Sequence, residues 1–167
     1  ICRQHAYLLM VSCSRESPAQ EIRMIQNFVQ NKAQGLYLFP TVGETSNAVL
    51  RQLVAQRFPL VFVDRFLPDI HASYSVSANL DGGKQAAEYI LKKHGANISI
   101  CHFPLINNAV TDRFTGFRLE VERAGYSFAS SHQCLIDDTD ILLSDNVSRI
   151  ERLLDKISSH LTDHPDF

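Results

Sequence analysis

The sequence predicts an α/β domain built on a parallel sheet with helices on both faces. Two observations carry that expectation. Short runs that are apolar throughout alternate with longer segments whose apolar residues recur at three- and four-residue spacing. Strands of the first kind are typical of parallel sheets buried under crossover helices, because an antiparallel sheet with one wet face alternates polar and apolar residues instead. The chain can support such a core, since 45% of its 167 residues are hydrophobic.

The elements follow in order. Tyr7-Leu8-Leu9-Met10-Val11-Ser12 reads as a continuous apolar strand. Ser17-Pro18-Ala19-Gln20 then reads as a helix start, with Ser17 as cap, Pro18 at the first helical position and Gln20 completing a capping box. Ile22, Ile25, Phe28 and Val29 give that helix an apolar face. Gly35 is expected to stop it or turn the chain, ahead of the strand Leu36 to Pro40. Thr45 or Ser46 caps a second helix bearing Val49, Leu50, Leu53 and Val54. Leu60 to Asp64 is a third strand, and Tyr74 to Ser77 a short alternating edge strand. A helix across Gly83 to Lys93 closes at His94-Gly95, and Ile98 to Phe103 is strand again. A helix from about Thr111 to Ala124 ends at Gly125, Cys134-Leu135-Ile136 is a short strand, and a last helix carries Ile150, Leu153, Leu154, Ile157 and Leu161. Ligands of such sheets gather outside the carboxyl ends of the strands. That directs attention to Ser12–Ser14, Phe39–Thr41, Asp64–Phe66, Phe103–Asn108 and Asp137–Asp140.

Bulk properties exclude several classes. The net charge is -2 and the basic residues are scattered, so no electrostatic footprint for nucleic acid is present. Cys2, Cys13, Cys101 and Cys134 include no C-x-x-C pair, and a reducing cytoplasmic compartment is expected. No apolar run approaches the roughly 18 residues of a membrane span, and no secretory leader is visible. Ile1–His5 reads as the tail of a helix, and His164–Phe167 ends where another strand is expected, so both ends read as cut.

Five segments in series resemble the LacI/GalR family of bacterial repressors. Tyr7 to Pro40 is similar to the family's strand, polar loop, long helix and G-[LIV]-[LIV]-[LIV]-x-P unit, and Pro59 to Arg65 to its P-[LIV]-V-x-[LIV]-D-R strand. Ser75 to Glu88 resembles V-x-x-D-N-x-x-G-G-x-x-A, Lys93 to Pro104 resembles x-G-H-x-x-I-x-x-[LIV]-x-x-P, and Thr111 to Tyr126 resembles [ST]-x-R-x-x-G-[FY]-x-x-x-[LMV]-x-x-[AG]-G. The resemblance implies a periplasmic-binding-protein-like, two-lobe α/β architecture with an effector cleft between the lobes. Residues 1–77 would form part of the N-terminal lobe, lacking its first strand, and 78–167 the first half of the C-terminal lobe. It further implies a homodimer, a sugar-like or nucleoside-like effector, and operator DNA bound only through a headpiece absent from these residues. The sequence departs from the family pattern at Ala78, where Asp is usual, and at Ala96-Asn97. It departs again at Asp137-Asp138-Thr139-Asp140, where an aromatic effector platform is common.

Three residues are the candidate effector contacts. Asp64 follows an apolar strand, where a carboxylate can accept two hydroxyl hydrogen bonds or simply pair locally. Arg113 offers a planar fork for hydroxyls, a carboxylate or a phosphate, and matches the recurrent arginine of the family's [ST]-x-R-x-x-G motif. Asn107 enters the same helix, as ligand contact or as cap. Asp81-Gly82-Gly83 lacks the Lys-Ser/Thr of a phosphate loop and reads as a helix cap with small residues. Asp137, Asp138 and Asp140 lack the Gly and distal Glu of a calcium loop, so no metal is expected. His102 reads as a satisfied strand histidine. No cofactor fingerprint, nucleophile elbow or catalytic set is found, which leaves a sensor domain, ahead of a transport receptor of the same fold and a doubly wound enzyme.

Overall fold

A computed structural model describes residues 7–41, 44–95, 97–136 and 146–164. The chain divides into two compact units, Ile1–Val76 and Ser77–Phe167. The first contains helix α1 (Pro18–Gln30), strand β1 (Leu36–Leu38), helix α2 (Glu44–Ala55), and strands β2 (Leu60–Val63) and β3 (Ser73–Ser75). The second contains helix α3 (Asn79–His94), strand β4 (Ile100–His102), helix α4 (Asn108–Arg123), a 3-10 turn (Ser130–His132), strand β5 (Gln133–Leu135) and helix α5 (Asn146–Asp163).

All strand pairing is parallel, as the apolar runs predict. In the first unit β2 lies between β1 and β3, with Leu36 opposite Leu60 and Phe62 opposite Tyr74. The core collects on one side of this sheet. Leu60 and Phe62 of β2 are buried with Ile25 of α1, Leu50 and Leu53 of α2, and Leu67 and Ile70 of the following loop. Phe62 is fully buried, a contribution on the order of 2–3 kcal/mol. In the second unit β4 pairs with β5, and Ala87, Ile98, Phe117 and Val121 form the core.

Helices α3 and α4 approach unusually closely because each offers a glycine at the crossing. A Cβ on Gly83 would lie 2.1 Å from the carbonyl oxygen of Arg113, and one on Gly116 would lie 2.0 Å from that of Leu80. Neither distance is possible for a real Cβ, so neither position takes a side chain unless the two helices move apart.

Several expected details are corrected. Tyr7–Ser12 is not a strand but unpaired, exposed chain, with Leu8 86% and Val11 81% exposed. Apolar composition supplies propensity, yet a strand exists only where a neighbour takes its N–H and C=O groups, and no described strand pairs with these residues. Ser17 does cap α1, accepting from the Gln20 N–H at 3.4 Å, and Pro18 holds the first position. The capping box is not closed, because the Ser17 N–H already donates to the Ser14 carbonyl. The stop of α1 is made by Lys32 in the left-handed region (φ 59°), not by Gly35, which packs against Pro59. Helix α2 is described from Glu44, which places Thr45 and Ser46 within it, while what caps it lies outside the described residues. Helix α3 begins at Asn79, so Asp81 stands in its first turn and not at its cap. Its C-terminus is as expected, with Gly95 in the left-handed region after three basic residues. The readings of Ile1–His5 and of Asp137–Asp140 fall outside the described residues.

Candidate functional site

A cavity of about 550 Å³ opens in the second unit, within the usual range for small-molecule sites. Its walls come from three elements: the first two turns of α3, strand β4 with Phe103, and one face of α4. Val110, Phe114 and Phe117 supply an apolar face at helical spacing, while Ser77, Asn79 and Arg113 supply polar groups. The glycine contact between α3 and α4 fixes the distance between the two helical walls.

Arg113 is positioned, not merely present. Its Nε–H donates to Oδ1 of Asn79 at 2.7 Å, and Asn79 is only 5% exposed. A buried amide thus holds one edge of the guanidinium and leaves the remaining donors of the fork for something else. No carboxylate among the described residues forms an ion pair with Arg113. The remaining donors of the fork face the cavity wall, where an anion or a vicinal hydroxyl pair would find two parallel donors.

His102 also faces the cavity. Its Nδ1–H donates to the Phe103 carbonyl at 2.8 Å, and its ring lies 4.7 Å from that of Phe114. A carbonyl can only accept, so this bond places the proton of the neutral ring on Nδ1 and leaves Nε2 as an acceptor. Cys101, one residue earlier, stands directly opposite Cys134. Partial burial of its thiol, and then the neighbouring Cys134 thiol, push Cys101 up to about 11.

The other two candidate contacts sit elsewhere. Asn107 is the N-cap of α4, its Oδ1 accepting from the Val110 N–H at 3.1 Å, so the capping alternative describes what its side chain does here. It is not part of the cavity wall. Asp64 belongs to the first unit, just past β2. It adopts a left-handed conformation (φ 67°) that non-glycine residues rarely take, and its N–H donates to the Ser75 carbonyl at 2.9 Å. Local pairing does not consume its carboxylate: Arg65 pairs instead with Glu16, at 2.5 Å.

Sequence reading overlooked Asn79, the partner of Arg113, although it stands in the Ala78-Asn79 segment quoted for its resemblance. It also overlooked Glu21, a carboxylate 2% exposed that accepts from the Thr41 N–H at 2.7 Å and ties α1 to the loop after β1. Its place in the first turn of a capped helix gave no sign of burial. Among the described residues, no group of three His, Cys, Asp or Glu side chains is arranged to hold a metal, and no helix is long and apolar enough to cross a membrane.

A family model described as periplasmic binding protein domain matches residues 4–161. The chain belongs to this family. The probable HTH-type transcriptional regulator EndR of Paenibacillus polymyxa is 26% identical over 120 residues, covering 70% of this chain and 35% of that protein. The ribose import binding protein RbsB of Haemophilus influenzae is 26% identical over 136 residues, covering 80% of this chain and 47% of that protein. The crystal structure of the Cra transcriptional dual regulator from Pseudomonas putida, in complex with fructose 1-phosphate, superposes with a TM-score of 0.68 at 20% identity, over 81% of this chain and 48% of that one. The chain thus spans about a third to a half of the length of these relatives. This periplasmic-binding-protein-like domain has regulators and binding proteins as its relatives, and the parallel α/β architecture is theirs.

Proposed function

We propose that the chain is the effector-sensing portion of a LacI/GalR-type transcriptional regulator, with no catalytic role. The observation that carries this reading is Arg113: a guanidinium fixed by a buried Asn79 at the wall of a cavity, with no carboxylate among the described residues paired to it. Such a group recognises hydroxyl pairs or a phosphate without performing chemistry on them. The effector is a sugar, sugar phosphate or nucleoside. Residues 1–77 and 78–167 are the contributions of two lobes, with Asp64 from the first and Arg113 and Asn107 from the second as effector contacts. Asn107 keeps its two amide N–H donors while its oxygen caps α4. The regulator works in the cytoplasm as a homodimer and touches operator DNA through a headpiece outside these residues. Ligand shifts the population between lobe orientations and so changes the spacing of the headpieces.

The test is a thermal-shift screen of the protein against pentoses, hexoses, sugar phosphates and nucleosides, with Arg113→Ala alongside. Ligand at 100 times its Kd stabilises by about 2.7 kcal/mol. A hit that disappears in the variant supports the sensor and its clamp. An undiminished hit removes Arg113 from the site, and no hit from any class removes the sensor reading. The match to a ribose import binding protein favours a second reading, a transport receptor. The two separate on whether the full-length protein binds DNA and whether ligand changes that affinity.

A further inference from the structure

Strands β4 and β5 run parallel with Cys101 and Cys134 in register. Residues directly opposed in adjacent strands point to the same side, and the strands lie about 4.8 Å apart. That spacing falls inside the roughly 4.4–6.8 Å of Cα separation that a disulfide spans. The register thus sets the two thiols side by side on neighbouring strands. The pair is asymmetric: Cys101 is exposed and lines the cavity, whereas Cys134 behind it is 3% exposed. An oxidant therefore reaches one sulfur, and the other stands on the paired strand beside it.

We propose that Cys101 and Cys134 form a redox-active dithiol in the cavity wall, which a peroxide closes into a disulfide linking β4 to β5. The reacting form is the Cys101 thiolate, a small fraction near neutral pH that grows as pH rises towards 11; it attacks one peroxide oxygen, the O–O bond breaks, and for hydrogen peroxide the other oxygen leaves as water after taking up a proton. Cys101 is then a sulfenic acid. Cys134 sulfur attacks that sulfur, the S–O bond breaks, and a second water leaves. Two thiols and one peroxide thus give one disulfide and two waters; the two cysteines are oxidised and the peroxide is reduced. The resolving thiol stands at the paired position of β5, so it competes with a second peroxide for the sulfenic acid before the sulfinic state is reached. Closure joins the two strands and takes the Cys101 thiol away from the cavity, giving the site an input besides its ligand.

The experiment treats the fully reduced chain with hydrogen peroxide and maps its peptides by mass spectrometry without reductant. A 101–134 cross-linked peptide 2 Da lighter than the sum of its parts, restored to free thiols by dithiothreitol, is the expected product. Phenylarsine oxide, which needs two adjacent thiols, is expected to bind one per chain and to block the cross-link. Cys101→Ser places its change at an exposed position and is expected to abolish both signals with an unchanged circular dichroism spectrum. Sulfinic acid accumulating at Cys101 with Cys134 untouched, or cross-links running only through Cys2 or Cys13, overturns the proposal. If Cys101→Ser fails to fold, the wild-type peptide map and arsenical stoichiometry still decide it.

Discussion

Two adjacent glycines in α3 make opposite demands, and substituting each tests the helix crossing. Gly82 has nothing within 4 Å of a built Cβ. Alanine there brings only its better helix propensity, so Gly82→Ala should stabilise by about 0.5–1 kcal/mol. A Cβ on Gly83 meets the Arg113 carbonyl oxygen at 2.1 Å and the Phe117 nitrogen at 2.9 Å. Both are backbone atoms of α4 and cannot rotate away, so the helices must separate by roughly 1 Å to restore an ordinary contact, and overpacking of this kind costs about 1–3 kcal/mol. Subtracting about 1 kcal/mol of propensity leaves Gly83→Ala destabilised by about 0–2 kcal/mol, and about 1–3 kcal/mol below Gly82→Ala. Gly116→Ala should cost about the same, because its clash with the Leu80 carbonyl is equivalent. The double variant should cost less than the sum, since one separation relieves both clashes. Urea unfolding followed by circular dichroism reads these differences as shifts of the midpoint at constant slope. A Gly83→Ala midpoint raised as far as that of Gly82→Ala would refute the close crossing, and with it the account of how the cavity walls are spaced.

Further predictions test the unit cores and the thiol pair. Lys32 (φ 59°) and Arg57 (φ 57°) end α1 and α2 in a conformation that costs a side chain, so Lys32→Gly and Arg57→Gly should each raise stability by about 1 kcal/mol in the same urea assay. Glu21→Ala removes the acceptor of the Thr41 N–H and should cost about 1–3 kcal/mol, whereas Glu21→Gln, which keeps an acceptor, should cost less. The Cys101 thiol is raised from 9.0 to about 11, so the folded chain holds its proton more tightly than the unfolded one. The associated stability is complete below pH 9 and declines as pH rises towards 11; urea midpoints measured across that window should fall, and Cys101→Ser should flatten the slope.

Much of the architecture was legible because it is written in local patterns. The apolar runs at Leu36–Leu38 and Leu60–Val63, and the capped helix after Ser17, follow from side-chain chemistry that needs no distant partner. The errors share one cause. Tyr7–Ser12 has the composition of a strand but pairs with no described strand, and hydrogen-bond partners are not encoded in the segment itself. Likewise, the left-handed stop after α1 fell to Lys32 and not to Gly35, because the approach of β1 to Pro59 fixed where the helix had to end. Of the candidate site residues, Arg113 was readable as a residue type in a motif. Its partner was not, since Asn79 lies 34 positions away.

By itself, the sequence determined the parallel α/β class and the helix and strand alternation, because periodicity and capping act over a few residues. Only the tertiary structure decided what Arg113 can do. Two helices packed through Gly83 and Gly116 bring Asn79 to Arg113, and strand register brings Cys101 against Cys134. Hydrogen bonds, thiol pairs and cavities depend on separations of an ångström between residues far apart in the chain. Those separations are fixed by packing, which no local pattern specifies.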